Sequence, residues 1–277
     1  MNSFELDAFL QRALCEDIGL GDITTESCVP PDAVSRGRFI AKEGGVVCGL
    51  SVVVRVYFLL DPRVSLKPLV SDGNRVAKGE VIAEISGPSA SILTGERVAL
   101  NLLQHLSGIA TKTADAVSQV EGTSARIVDT RKTTPGLREL EKYAVRAGGG
   151  YNHRFGLFDG VLIKDNHIVA AGGIANAVAA ARRNVPHTLK IEVETTTLGE
   201  VEEALRSGAD IIMLDNMDYE QMAEAVRLVG GRAIVEASGN MGERSVRRTA
   251  ECGVDIISIG ALTHSARAMD ISLKLIE

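Results

Sequence analysis

Residues 188–216 read "TLKIEVETTTLGEVEEALRSGADIIMLDN". An apolar, strand-like run stands at each end, and a stretch of helical character lies between them. A strand buried on both faces is nearly continuous in apolar residues, whereas a half-exposed one alternates. The stretch therefore reads as one strand–helix–strand unit of a parallel sheet. The same rhythm runs through the chain after about residue 122. Strand-like runs recur as ARIVDT, GVLIKD, TLKIEVE, DIIMLDN, AIVEASG and DIISIGA. Most are separated by helical or Ala-rich segments such as GGIANAVAAARR, LGEVEEALRSG, YEQMAEAVRLVG and SVRRTAECG. Their number and compact spacing fit a (β/α) barrel one strand short of eight better than an open doubly wound sheet. No GxGxxG follows a strand, so a dinucleotide-binding fold is not supported.

The first part of the chain has a different texture. Apolar residues at helical spacing (Leu6, Phe9, Leu10, Ala13, Leu14) predict an amphipathic helix over 4–16. EDIGLGDITTESCVP reads as a loop, structural or interfacial despite its acids. Residues 35–86 read as strands of a sandwich-like β region, punctuated by Gly and Asp-Gly. From 92 to 120 one apolar stripe predicts helix, with Ser107-Gly108 expected to bend or divide it and His105 a packing residue. The tail alternates Ile271, Leu273 and Leu275 with Ser272 and Lys274, which is strand periodicity. It is expected to return to the N-terminal β region. The predicted domains are thus 1–110, joined by a strand over 269–277, and a barrel over 111–268.

Composition bounds the function. The chain has 277 residues, 45% of them hydrophobic, enough for one large domain or two modest ones. A net charge of −6 argues against a nucleic-acid partner. The four cysteines (Cys15, Cys28, Cys48, Cys252) form no CxxC or metal spacing and read as reduced thiols. The longest apolar runs are broken by Gly and Arg, so no membrane span is expected. A soluble cytoplasmic protein is the expectation.

In a β/α barrel, chemistry gathers where the strands end. Here those ends carry Thr130-Arg131-Lys132, then Lys164-Asp165-Asn166-His167, then Glu192-Val193-Glu194 and Asp215-Asn216. Ser238-Gly239-Asn240 and Gly260-Ala261, with Thr263 and His264, complete the set. Any one is weak evidence, but six polar strand ends facing one mouth are hard to attribute to solvation. Arg131, Lys132, His153, Arg154 and Lys164 suit a polyanion, since Arg grips carboxylate or phosphate with a fork and Lys adds a compact charge. Glu194 and Asp215 would need a cation in that field, and Mg2+ favours oxygen ligands shared with substrate phosphates. Ser238, Gly239 and Gly260 would let backbone N–H groups approach a phosphate.

The segment TRKTTPGLRELEKYAVRAGGGYNHRFGLFDGVLIKDNHI closely resembles the quinolinate phosphoribosyltransferase family. So do EDIGLGDITT, GERVALNLLQHLSGIAT, KIEVE, MLDN, EASGN and SIGALTHSA, in order, over nearly the whole chain. The resemblance implies an N-terminal α/β sandwich joined to a seven-stranded α/β barrel. It implies conversion of quinolinate and phosphoribosyl pyrophosphate into nicotinate mononucleotide, pyrophosphate and CO2. The family pattern places Arg131, His153, Arg154 and Lys164 around the quinolinate carboxylates, with Thr130 at the same strand end and Lys132 nearer the sugar donor. Glu194 and Asp215 would hold Mg2+ or ribose hydroxyls, and Ser238, Gly239, Asn240, Gly260 and His264 would line the 5′-phosphate region. Lys132, Lys164, Glu194 and Asp215 are the expected catalytic groups. The resemblance also implies a homodimer or larger assembly in which Arg97 is donated across the interface. His167 and His264 read equally as capping residues, and Glu192 shares the strand parity of Glu194.

Rival readings are a ModD-like transferase of the same fold, a Schiff-base aldolase using Lys164, and a carrier module displaying Lys78. The ModD-like proteins are similar around TRKT, but the KDNH stretch favours the quinolinate enzyme. The aldolase needs a desolvated lysine, which Asp165 and the acids downstream oppose. Lys78 lacks the neighbour that marks a carrier lysine.

Overall fold

The structure is a computed structural model that describes residues 3–276. Its strands are β1 Val34–Ala41, β2 Gly45–Val46, β3 Ser65–Pro68, β4 Arg75–Val76, β5 Val81–Pro88, β6 Arg126–Val128, β7 Val161–Ile163, β8 Ile191–Thr195, β9 Ile211–Asp215, β10 Ile234–Ser238, β11 Ile256–Ser258 and β12 Ile271–Ile276. The chain forms two compact units. One comprises Met1–Ala114, Pro135–Gly149 and Ala266–Glu277; the other comprises Asp115–Thr134 and Gly150–Ser265.

The first unit carries an antiparallel sheet in the order β12-β1-β5-β3. Phe39 of β1 faces Leu273 on one side and Ala83 on the other. Phe39, Ala41, Ile82 and Ile85 are buried. The strand predicted over 269–277 begins at Ile271, and Glu277 lies outside the described residues.

Three expectations for this unit are corrected. Residues 35–86 are not all strand: Leu50–Leu60 is a helix, although its sequence, LSVVVRVYFLL, is rich in β-branched residues. Burial of Leu50, Val53, Val56 and Tyr57 along one stripe overrides that local preference. The Asp72 carboxylate accepts the Gly49 and Leu50 N–H groups, each at 3.0 Å, satisfying donors the helix start leaves open. On the wet side Arg55 makes a two-pronged pair with Asp7, at 2.6 and 2.5 Å.

EDIGLGDITTESCVP is not a plain loop either. The first helix runs Ser3–Ile18, and Ile23–Cys28 forms a second. Asp22 caps it by accepting from Thr25 N at 3.0 Å and Thr25 Oγ1 at 2.6 Å.

Finally, Ser89–Gln119 is one undivided helix of 31 residues. Ser107 and Gly108 are small because other chain crosses the helix there. Ser107 Oγ accepts the Cys48 N–H at 2.9 Å and donates to Cys48 O at 3.2 Å. A Cβ on Gly108 would stand 2.1 Å from Arg267 O. His105 pairs with the buried Glu141 at 2.9 Å.

The second unit is built on a six-stranded parallel sheet in the order β6-β11-β10-β9-β8-β7. Ile127, Ile191, Val193, Ile212, Leu214, Val235, Ala237 and Ile257 are buried, as continuous apolar runs require. In the stretch 188–216, β8 ends at Thr195, and Thr197 then caps the helix Leu198–Arg206 in a reciprocal box with Glu200. Asp218 and Gln221 repeat the device at Tyr219–Val229. Beside β6, Tyr151 forms a parallel bridge to Val128. Among the described residues no helix is long and apolar enough to cross a membrane.

Candidate active site

Successive side chains of a strand alternate in direction, so Glu192 and Glu194 share a face of β8 and Glu236 and Ser238 share a face of β10. The polar residues at the carboxyl ends of these strands fall into three groups, all within the second unit.

The first group joins β7 to β8. Ile163 registers with Val193, which sets Lys164 beside Glu194 one residue on. Lys164 Nζ donates to Glu194 Oε2 in a charge-assisted bond between half-buried groups. The Lys164 N–H donates to His167 Nδ1 at 3.0 Å, so His167 serves the start of the helix Asp165–Ala171 and is itself exposed.

The second group follows β9 and β10. Asn216 and Asn240 are the only non-glycine residues with positive φ among those described, at 58° and 50°. Gly239, which precedes Asn240 in the chain and lies against Asn216, has φ 89°. Asn216 N–H donates to Ser238 O at 3.1 Å, and Asn216 Nδ2 donates to Asp215 Oδ2 at 2.8 Å. Arg244 closes the turn by donating to Met217 O at 2.5 Å and Asn216 O at 3.3 Å. Two strained turns side by side mark a place where backbone shape is held for a purpose.

The third group joins β6 to the end of β11. A Cβ on Gly260 would meet Lys132 Cδ at 3.0 Å, Thr130 Oγ1 at 3.3 Å and His264 Cδ2 at 3.4 Å. Thr263 Oγ1 donates to Lys132 O at 2.8 Å, pinning the loop that carries Lys132. Thr130, Lys132, Gly260 and His264 are thus brought together.

Beneath these lies a buried cluster. His153 Nε2 is 3.2 Å from Glu192 Oε2 and 3.6 Å from Glu236 Oε2. Burial opposes a charged ring, but the two carboxylates more than offset it and draw His153 upward. Burial also pushes the Glu192 carboxyl above its usual range. Nδ1 accepts the Arg154 N–H at 2.8 Å, which leaves Nε2 to face the two carboxylates. Arg154 Nη1 donates to Gly160 O at 2.9 Å. Its guanidinium is held below its ordinary range by burial and by the neighbouring Arg131 charge, against the pull of Glu192 and Asp159. Two arginines close enough to repel one another suit an anion.

Glu236 was not singled out by sequence reasoning. The available signal was its parity with Ser238 in EASGN: an acid buried in a parallel strand needs a partner. Arg97 belongs to the first unit and is exposed on the helix Ser89–Gln119.

This is the layout of an α/β protein that gathers polar chemistry at the carboxyl ends of a parallel sheet. Residues 22–107 match the profile of the quinolinate phosphoribosyl transferase N-terminal domain and residues 109–274 that of its C-terminal domain. The chain belongs to the quinolinate phosphoribosyltransferase family. It is 46% identical over 275 residues to the probable nicotinate-nucleotide pyrophosphorylase (carboxylating) of Bacillus subtilis, covering 99% of this chain and 95% of that protein. To quinolinate phosphoribosyltransferase (decarboxylating) 2a, mitochondrial, of Nicotiana tabacum it is 41% identical, covering 99% and 83%. The crystal structure of NadC from Streptococcus pyogenes superposes with a TM-score of 0.95 at 44% identity, covering 100% of this chain and 99% of that one.

Proposed function

We propose that this protein transfers the phosphoribosyl group of phosphoribosyl pyrophosphate to the nitrogen of quinolinate, with loss of CO2, giving nicotinate mononucleotide and pyrophosphate. The observation that carries this reading is the division of one mouth into an arginine pair, Arg131 and Arg154, and a turn-rich cradle at Gly239 and Gly260. A dianionic ring acid and a phosphorylated sugar need those two surfaces side by side. The family's curated relatives, named for this activity, support it.

Arg131, Arg154 and Lys164 hold the quinolinate carboxylates, with His153 between Arg154 and the buried glutamates. Ser238, Gly239, Asn240, Gly260 and His264 receive the 5′-phosphate, while Thr130 and Lys132 face the sugar donor. Departure of pyrophosphate builds positive charge at the anomeric carbon, as in other glycosyl transfers. Lys132 steadies the departing negative charge. The pyridine nitrogen forms the new bond to that carbon, so no side-chain nucleophile is needed, and positioning supplies most of the acceleration. Once the nitrogen is quaternary, the bond to the adjacent carboxylate breaks, CO2 leaves, and the electron pair stays on the ring carbon until a proton replaces it. The second carboxylate stays gripped throughout.

Glu194 and Asp215 fit Mg2+, because their hard oxygens supply the one or two carboxylates such an ion takes from a protein. There such an ion would supply charge neutralisation for the donor's phosphates. Lys164 holds Glu194 in place for it.

The same reading includes a seven-stranded barrel over 111–268, supported by the bridge from Tyr151 to Val128, which adds an extended segment beside β6. It includes an N-terminal sandwich over 1–110 with 269–277, a cytoplasmic setting, and a homodimer or larger assembly with Arg97 donated across the interface. The test is an assay with quinolinate, phosphoribosyl pyrophosphate and Mg2+ that follows nicotinate mononucleotide and CO2 in equal amounts. Nicotinic acid, which lacks the second carboxylate, should be a poor substrate. Equal use of both acids would sink the reading.

A further inference from the structure

Substrate binding does not account for the buried cluster under the strand ends. Glu192 and Glu236 are 3% and 1% exposed, and each has an Oε1 without a hydrogen-bond partner. Carboxylates in such a place are costly unless they hold something. What they hold is the ring of His153, with Nε2 3.2 and 3.6 Å from their Oε2 atoms. The other nitrogen, Nδ1, accepts the Arg154 N–H. Both ring nitrogens are engaged, and the ring joins β8 and β10 to the backbone of Arg154.

The segment is fixed from other sides too. The His153 N–H donates to Asp129 Oδ1 at 2.9 Å, and Arg154 Nη1 donates to Gly160 O at 2.9 Å. The three ligand-type atoms of His153, Glu192 and Glu236 lie within 4.8 Å of one another, a spacing that suits a metal. The ring argues against one. A metal on Nε2 needs the ring proton at Nδ1, where the Arg154 N–H already points.

We propose that Glu236 and Glu192 are positioning residues that act through His153 to aim Arg154 at a substrate carboxylate. This deepens the substrate reading above and rests on it. His153 itself then touches the arginine's backbone and the glutamates rather than the diacid. Glu236 matters because it holds the ring from β10, the strand whose next same-face residue is Ser238. Losing it lets the ring, and with it the Arg154 backbone, shift.

The test is Glu236→Leu, which removes the carboxylate facing the ring, beside Glu236→Gln, which keeps its shape and a polar oxygen there. Circular dichroism and a thermal melt check folding. Glu236→Leu should raise KM for quinolinate roughly 10–100-fold, the range for losing a group that orients a ligand, with KM for phosphoribosyl pyrophosphate unchanged. Glu236→Gln should recover most of the loss. In the wild-type protein, ¹⁵N NMR of the His153 ring should show protonated Nε2 and an accepting Nδ1. An unchanged quinolinate KM in a folded Glu236→Leu protein overturns the proposal. So does an equal loss for both substrates without rescue by Gln, or a ring protonated at Nδ1. Should the leucine variant not fold, the glutamine variant and the ring spectrum decide. Absence of wild-type turnover overturns the substrate reading, whereas wild-type turnover with an unaffected leucine variant overturns only the positioning role.

Discussion

A side chain on Gly239 would lie 2.4 Å from Asn216 Oδ1 and 2.7 Å from the Asn216 backbone nitrogen. The two residues belong to turns after neighbouring strands, and each adopts positive φ. Gly239→Ala therefore meets both a conformational penalty and a backbone collision. It should raise KM for phosphoribosyl pyrophosphate about tenfold or more, in keeping with a distortion of roughly 1–3 kcal/mol. Quinolinate binding, followed by calorimetry, should change little.

Arg131 and Arg154 should show the opposite selectivity. Losing either charged hydrogen-bond donor costs roughly 1.5–3 kcal/mol, or about ten- to a hundredfold in kcat/KM for quinolinate. Steady-state kinetics of Arg131→Ala and Arg154→Ala check this; unchanged values in both variants would refute the anion-site assignment.

Arg97→Ala and Lys132→Ala subunits should each be inactive alone. When mixed, some heterodimers regain one intact shared site, so activity should partly return. Native mass spectrometry confirms exchange; no recovery after confirmed exchange counts against the donated arginine.

Gly108→Ala tests the fold instead. Its Cβ would be forced to within 2.1 Å of a carbonyl oxygen in the segment before β12. Backbone cannot step aside as a flexible side chain can, so a loss of at least about 1–3 kcal/mol is expected. Thermal unfolding should shift to lower temperature, with active-site kinetics preserved in the folded fraction.

Acid sensitivity should trace in part to Asp61. Hydrogen bonds from Arg63 and then from Ser91 hold its carboxyl well below the usual carboxylate range. A depressed folded value means the stabilisation is present above the unfolded pKa, about 3.9. It disappears as pH falls toward the folded value. Asp61→Asn should therefore destabilise at pH 7, and its deficit should shrink progressively below about pH 4. Urea unfolding across a pH series checks the sign.

The parallel sheet was legible because burial on both faces writes itself as uninterrupted apolar runs. The 188–216 stretch even carries the Thr197 and Glu200 box that starts its helix. Leu50–Leu60 was illegible for the complementary reason: its β-branched residues suit a strand, and only tertiary burial makes a helix of them. Gly108 invited a local reading, a bend, because the crossing chain lies far along the sequence at Arg267. At the site, strand-end residues could be read from their positions. Glu236 offered only its parity with Ser238, since its meaning depends on His153 from a distant loop.

β1 has partners on both sides, and one of them, β12, follows the entire second unit in the chain. During synthesis, β1 must therefore wait with one edge unpaired while the second unit emerges from the ribosome. An open strand edge is a template for pairing with another chain. The price of this threading is a window in which newly made molecules are vulnerable to sticking together, and it closes only when Ile271–Ile276 arrives.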